Sequence, residues 1–437
     1  MEQTCIKDMN FKVLVVSNNP FSETSNNGKT LASFFENFNS EAISQLYFSN
    51  EFPKKKVNYF QITDSAVIKS VLKKQKDCGR RIQISDLKPQ TEDSYKSSTL
   101  TSKLKNSELS RIVRELFWKV GTWKNDSLDS WLKECNPDII FFCAGDSGFA
   151  YDIVEYIKQK TAAKSVVYLT DDYILPRRTL NLFWWLRRNL ILKKMKLAID
   201  QSNGFSTISE KMRHEYKNFF GKDSNLLVNM SPSLKVEKVS EKDDNNNCEV
   251  KLIYAGGLHF NRDKVLISLI NEIQAHNAVS DKKLFLDVYS AYNVGEKTLK
   301  KLTVSEVSSF NGLLNQDELK IALNNSDILV HVESFDSKSI ESTRLSLSTK
   351  IPEYLSVGKP ILAIGPSNIS SMEYLADVAI CANSQSQIKK AIEIIVNESE
   401  HLNQLSKKSL KKYKDYHYVD DVKRNFEAYL TNIYKGV

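Results

Sequence analysis

The sequence has no Cys-x-x-Cys pair, and none of its six cysteines (Cys5, Cys78, Cys135, Cys143, Cys248, Cys381) has a histidine at zinc-ligand spacing. That argues against a zinc-held fold and for free thiols in a reducing cytoplasm. The first ten residues, MEQTCIKDMN, contain no apolar core of a secretory leader, and no run approaches the ~20 apolar residues that span a bilayer. The expectation is a cytoplasmic, non-spanning protein. The excess of positive charge is small, 61 basic against 53 acidic side chains, and it is local rather than spread as on a nucleic-acid binder. Residues 174–200 hold seven basic residues and one acid. No nucleic-acid partner is expected.

What is present is enough for two cores. A chain of 437 residues, 41% apolar and 10% aromatic, suits two globular domains of about 200 residues each. FKVLVVS (residues 11–17), DIIFFCAG (138–145), SVVYLTDD (165–172) and GFSTIS (204–209) are strand-like runs with few polar interruptions. Such runs are buried on both faces, as in parallel sheets covered by helices. A helix-like stretch starts at Thr30. Residues 84–110 are polar and read as a surface loop, and residues 235–249, KVEKVSEKDDNNNCE, read as an interdomain linker. After it the pattern restarts with KLIYAGG, LFLDVYS, VSSFNG, SDILVHV, KPILAIG and DVAICA. The expected organisation is an α/β chain of two Rossmann-like domains, 1–234 and 250–415, with a cleft between them and a final helix, about 416–437, returning to the first.

Three motifs carry chemistry. SNNPFSETSNNGKT (residues 17–30) ends in Gly28-Lys29-Thr30, the close of a phosphate-binding P-loop, but the position that a P-loop fills with its first glycine is Glu23. Gly28 is read instead as a close approach to a ligand near a helix start, or as a tight turn alone. YAGGLHFNRDK (254–264) places Gly257 at a strand end, without the G-x-G-x-x-G of dinucleotide folds, and sets Arg262 and Lys264 where a helix should begin. A guanidinium, an ammonium and helix-terminal amides suit a diphosphate; surface ion pairs are the alternative. STKIPEYLSVGKPILAIG (348–365) has Ser348, Thr349 and Lys350 before a Pro-containing first turn. They are candidates to hold an anion, with Glu353 for a ribose diol or as a plain first-turn carboxylate.

Together these motifs resemble the bacterial family 4 glycosyltransferases of GT-B fold that build surface polysaccharides, over about residues 11–429. The resemblance implies a sugar nucleotide bound by the second domain, an acceptor bound by the first, and transfer in the cleft with retention. The co-substrate would be a nucleotide-diphosphate sugar, with no other cofactor and no metal. The acceptor would be a saccharide or a lipid-diphosphate-linked saccharide. By position, Arg262 and Lys264 would meet the diphosphate and stabilise the departing charge, Glu353 the ribose, and the FNGLL turn with Gly312 and Leu313 the base; Ser348, Thr349 and Lys350 add phosphate contacts. Gly28 would lie in the acceptor-side loop. One departure stands out: the family's paired glutamates would put a carboxylate eight residues before Glu353, where this chain has Leu345. Glu341 or Glu333 would replace it.

In the first domain, Asp146 follows one strand end and Asp171-Asp172 another, the usual place for ligand-contacting groups in open α/β sheets. Asp171 is a candidate catalytic carboxylate and Asp146 and Asp172 acceptor contacts, or the aspartates cap helices. In LNLFWWLRRNLILKKMKL (180–197) the leucines read as a core face, interrupted by Lys193, while Trp184, Trp185, Arg187 and Arg188 point to an anionic membrane surface. The leading expectation is a cytoplasmic glycosyltransferase at the inner membrane face. The alternatives are a non-catalytic nucleotide-sugar sensor or scaffold subunit and, third, a nucleotide-sugar epimerase.

Overall fold

The chain is described by a computed structural model over residues 11–22, 26–75, 78–82, 107–235, 249–291 and 294–436. It divides into two compact units, with crossings at 227/228 and 422/423. Glu23, most of the polar stretch 84–110 and most of the stretch 235–249 lie outside the described residues.

The first unit is built on an eight-stranded sheet: β1 Val13–Ser17, β2 Ile43–Tyr47, β3 Asn58–Gln61, β4 Arg80–Ile82, β5 Ile139–Ala144, β6 Lys164–Leu169, β7 Gly204–Thr207 and β8 Asn225–Leu226. The order is β4-β3-β2-β1-β5-β6-β7-β8, parallel throughout except for the edge strand β4. Every residue of β1, β2 and β5 is buried, which is why β1 and β5 read as unbroken apolar runs, while β2 (ISQLY) carries Gln45, whose amide is satisfied internally. The helices used below are α1 Asn26–Phe34, α2 Asp64–Leu72, α3 Glu108–Val120, α4 Asp126–Cys135, α5 Gly148–Lys160, α6 Leu182–Asp200 and α7 Glu210–Phe220. Thr63, Ser107, Asn125, Asn181 and Ser209 each accept a backbone N–H at a helix start, as N-caps should. The helix expected from Thr30 begins earlier, and Gly28 lies in its first turn.

The second unit holds a six-stranded all-parallel sheet: β9 Glu249–Ala255, β10 Lys283–Tyr289, β11 Ser308–Asn311, β12 Ile328–Val332, β13 Ile361–Ile364 and β14 Ile380–Ala382, in the order β11-β10-β9-β12-β13-β14. Its helices are α8 Arg262–Val279, α9 Glu296–Leu302, α10 Gln316–Asn325, α11 Ser337–Thr343, α12 Ile351–Val357, α13 Ser370–Leu375, α14 Ile388–Asn397 and α15 Ser399–Tyr416. α12 ends at Gly358, whose φ of 71° is left-handed, the conformation a helix-terminating glycine adopts at least cost. The last helix, α16 Val419–Lys435, sends Phe426 into an aromatic cluster with Phe34, Phe35, Phe38 and Phe141 of the first unit, at centroid distances of 5.0–5.9 Å. No helix among the described residues is long and apolar enough to cross a membrane.

Candidate functional site

In the second sheet the chain runs outward from β9 through β10 to β11, then restarts on the other side of β9 with β12. β9 and β12 pair only at Leu252 with Ile328 and Ile253 with Leu329, so their carboxyl ends separate into a crevice. A reversal of strand order is where open α/β sheets bind ligands. Gly256 and Gly257 follow β9 there, and Glu333 follows β12.

After Gly257 the backbone turns into α8 through two left-handed residues, Phe260 at φ 61° and Asn261 at φ 57°. Non-glycine residues adopt this conformation at a cost, and such costs concentrate at functional sites. The turn delivers Arg262 as the first residue of α8, aimed at Glu333. Arg262 Nη2 donates to both Glu333 carboxylate oxygens at 3.0 and 2.9 Å, and Arg262 Nη1 stands 3.2 Å from His259 Nε2. His331 Nε2, from within β12, lies 3.5 Å from the same carboxylate. Burial alone would push the Glu333 carboxyl up, but His331 and Arg262 outweigh it and hold it below the usual carboxylate value. Burial and the Arg262 charge lower His259, so its ring is a neutral partner beside the guanidinium.

A cavity of about 300 Å³ opens at the carboxyl ends of β9 and β10, and neither Arg262 nor Glu333 lines it. Ala255, Gly256 and Gly257 form one side, Tyr289, Leu313 and Leu314 supply apolar walls, and Lys350 brings the cation. The Lys350 ammonium donates to the Ala255 carbonyl and lies 5.9 Å from the Tyr254 ring centre. Tyr254 Oη in turn donates to the Gly257 carbonyl at 2.7 Å, and Tyr354 Oη accepts the Ala255 N–H at 3.1 Å. A Cβ on Gly256 would stand 2.6 Å from Tyr254 Oη and 2.9 Å from Lys350 Nζ, so any larger residue there must displace these side chains. Flat apolar walls, backbone groups and one cation suit a base and phosphates. A larger open recess of about 590 Å³ lies past His259, lined by Asp263 and Asp336 together with Lys338.

The expected donor residues are thus only partly brought together. Gly257, Leu313 and Lys350 line the cavity, with Arg262 three residues past Gly257's neighbour His259. Lys264 is separated from Arg262: it is exposed, and its charge helps hold the Asp336 carboxyl low, after the Ser339 hydrogen bonds. The helix-start anion reading of residues 348–350 is corrected in part, because the Ser348 N–H donates to Ser371 Oγ and the Lys350 N–H faces Ser348 Oγ at 3.5 Å. The group that Lys350 brings to the cavity is its ammonium. Thr349 and Gly312 are exposed, and Glu353 is half-buried in the first turn of α12, outside the cavity lining. Leu345 is core. Of its two proposed stand-ins, Glu333 meets Arg262, whereas Glu341 sits half-buried on α11.

The first sheet has the same reversal between β1 and β5, and its aspartates are engaged. Asp172 is buried and its Oδ1 accepts the N–H groups of Ile174 and Leu175 and the Tyr216 hydroxyl, which assigns it to a turn rather than an acceptor. Asp146 pairs with Arg111 at 2.6 Å and Arg187 at 3.3 Å. Asp171 is half-buried, with the Thr170 and Tyr173 hydroxyls at 3.3 Å. Gly28 is buried in α1. Sequence reading missed Gln45, wholly buried in β2, which holds the loop after β1 by accepting the Phe21 N–H and donating to Ser17 Oγ. It also passed over Tyr254 and His331, whose only signal was a polar atom inside an apolar strand.

The membrane reading is corrected at Trp184 and Arg187, which turn inward. Trp184 and Arg187 are each 6% exposed. Arg187 Nε donates to Glu108 Oε2 at 2.5 Å, and its Nη1 reaches the Asp146 carbonyl. Trp185 Nε1 donates to the Thr179 carbonyl and Arg188 Nε to that of Ile174, both half-buried. Among the described residues no three His, Cys, Asp or Glu side chains group as a metal site.

No protein-family model and no curated protein matches the sequence. Solved structures do match over nearly the whole chain. HepE of Anabaena, in complex with UDP-glucose, superposes with a TM-score of 0.58 at 11% identity, covering 96% of this chain and 99% of that one. The α,α-trehalose 6-phosphate synthase of Burkholderia multivorans gives 0.60 at 9%, covering 98% and 97%. The Escherichia coli trehalose-6-phosphate protein bound to UDP-2-fluoro glucose gives 0.57 at 10%, covering 97% and 99%. The fold is the GT-B architecture of glycosyltransferases.

Proposed function

We propose that the chain is a glycosyltransferase that takes a sugar from a nucleoside-diphosphate donor held in the cavity at the carboxyl ends of β9 and β10 in the second unit. The observation that carries this reading is the meeting of Gly256-Gly257, the Lys350 ammonium and the Leu313-Leu314-Tyr289 walls in one 300 Å³ cavity. Lys350 and Arg262 neutralise the diphosphate as it leaves the anomeric carbon, which is where preorganised charge lowers a barrier most. The likeness of fold to proteins crystallised with UDP, UDP-glucose and UDP-2-fluoro glucose supports uridine as the base and a hexose as the sugar. The acceptor is a saccharide or a lipid-diphosphate-linked saccharide of polysaccharide synthesis, taken by the first unit, and transfer retains configuration without a metal or other cofactor.

Isothermal titration with UDP and UDP-glucose, paired with a donor-hydrolysis assay, tests the reading. Binding with release of UDP supports it, and ligand at 100 times Kd should stabilise the fold by about 2.7 kcal/mol. Absence of binding at millimolar nucleotide removes it. A second reading, a nucleotide-sugar sensor without turnover, draws on Leu345 in place of a glutamate and on Arg262 being neutralised by Glu333; binding without hydrolysis or transfer would select it.

A further inference from the structure

The guanidinium of Arg262 is used unevenly. Nη2 alone donates to both Glu333 oxygens, Nη1 faces His259 Nε2, and Nε is buried without an acceptor among the described residues. The parallel fork of two nitrogens on two oxygens, the strongest form of such a pair, is not made. The carboxylate has a second neighbour that is idle in the same way. His331 Nε2, within β12, lies 3.5 Å from Glu333 Oε1, at the outer limit of a hydrogen bond, and is buried without a hydrogen-bond partner among the described residues. One carboxylate thus meets both a guanidinium and an imidazole, each with a buried nitrogen to spare. Buried polar atoms are seldom left so unless the arrangement has another use.

Arg262 is one ring away from the cavity. A Cβ on Gly257, which lines the cavity, would stand 2.6 Å from the His259 ring, and that ring is the Arg262 Nη1 neighbour. A diphosphate offers the guanidinium the fork that Glu333 does not complete. Once the guanidinium turns to it, Glu333 is a buried carboxylate without its cation, a strongly unfavourable state. Few groups face Glu333 to answer that charge. Tyr254 of β9 has its hydroxyl committed to the Gly257 carbonyl, burial and the Arg262 charge oppose a proton on His259, and Gly365 after β13 packs against Glu333 without any charge. His331 is left, and an imidazole takes up a proton near neutral pH where a carboxylate ordinarily does not. We propose that His331 and Glu333 together take up one proton from solvent when a nucleoside diphosphate draws Arg262 away, an imidazolium–carboxylate pair replacing the guanidinium–carboxylate pair. Both are positioning residues, acting on the ligand through Arg262. The exchange rests on the nucleotide-binding reading of the cavity.

Titration calorimetry of the full chain with UDP at pH 8, where a terminal phosphate is already ionised, tests it. Runs in HEPES and in Tris, whose ionisation enthalpies differ, should give apparent enthalpies that differ by the uptake of about one proton per UDP bound. In the wild-type protein the Kd for UDP should rise about tenfold from pH 7.5 to pH 8.5 as the proton becomes scarcer, a measurement that needs no variant. Glu333→Gln removes the demand, so uptake should fall to near zero with binding retained. His331→Gln should lose the uptake and bind UDP about tenfold more weakly. A packing role for His331 would alter stability without changing the proton count. UDP that binds the wild-type protein with no proton uptake and a pH-independent Kd overturns the proposal and leaves the nucleotide reading standing, as does uptake near one in either variant. Failure of UDP to bind at millimolar concentration removes the nucleotide reading and the proton exchange with it.

Discussion

Arg262 and Glu333 form an ion pair across the strand-order reversal, the guanidinium 14% exposed and the carboxylate 3%. Removing the cation leaves a buried negative charge, a defect worth about 3–5 kcal/mol. Urea unfolding should show that loss for Arg262→Ala, and recovery of most of it in Arg262→Met combined with Glu333→Gln. Because the Glu333 carboxyl is held low in the fold, its contribution is present above the ordinary carboxylate value and disappears as pH falls through the folded one. A single-variant loss under about 1 kcal/mol would mean that the pair behaves as a solvated one.

The same pair bears on donor binding, since a diphosphate must compete with Glu333 for the guanidinium. Glu333→Gln removes the competing charge and keeps a hydrogen-bond acceptor. Its Kd for UDP should fall by about tenfold, a gain of about 1.4 kcal/mol, by titration calorimetry. Unchanged affinity would place Arg262 outside the diphosphate's reach.

Gly256 offers a purely steric test. The added methyl group of Gly256→Ala meets Tyr254 Oη and Lys350 Nζ at 2.6 and 2.9 Å, and Tyr254 is buried with its hydroxyl committed to Gly257. Overpacking of this kind costs about 1–3 kcal/mol. UDP affinity should drop about tenfold or more as Lys350 is displaced, and Lys350→Met should match it by removing the ammonium alone. If Gly256→Ala binds UDP normally, the cavity is not the nucleotide site.

Much of the fold was legible because parallel strands announce themselves. IIFFCA and KLFLDVY are long enough in apolar residues to be read without their neighbours, and Gly358 before Lys359-Pro360 ends a helix by its backbone freedom alone. β2 and β3 were not read, since Gln45, Asn58 and Gln61 interrupt them. Those side chains are satisfied by distant partners, Gln45 by Ser17, Asn58 by Trp131 and Gln61 by the Ser49 carbonyl, and such pairings appear only once the chain is folded.

The site was legible as chemistry but not as geometry. Gly257, Lys350 and Leu313 lie some 90 and 40 residues apart in sequence; Gly257 and Lys350 carried local signals, whereas Leu313 was singled out only through the family resemblance. That Lys264 would point away from Arg262 depends on the two left-handed residues that set the start of α8, which no periodicity reveals. α6 was inverted for a related reason. Its leucines and its tryptophan-arginine pairs lie on opposite faces, and apolarity alone assigns the leucines to the core; Glu108 and Asp146, distant in sequence, are what draw Arg187 inward instead.

His417 supplies a pH-dependent term in the second unit. It is fully buried, its Nδ1 2.6 Å from the Asn229 carbonyl and its Nε2 2.8 Å from the Tyr374 hydroxyl. A neutral ring satisfies both partners, with Nδ1–H donating to the carbonyl and Nε2 accepting from the tyrosine; a second ring proton would face a hydroxyl that must then turn away. Burial lowers the folded pKa to about 4, against the ordinary 6.5, with the Asn229 contact opposing and Lys412 adding to the shift. Between those values the unfolded chain binds the proton and the folded one does not, so stability rises with pH there. The contribution is complete above about 6.5 and shrinks by about 1.4 kcal/mol per pH unit below it, down to the folded value. Urea midpoints at pH 7.5, 5.5 and 4.5 should fall more steeply for wild type than for His417→Gln, which cannot titrate. Parallel pH profiles for the two proteins would mean that the ring is protonated in the fold and that Tyr374 accepts from it.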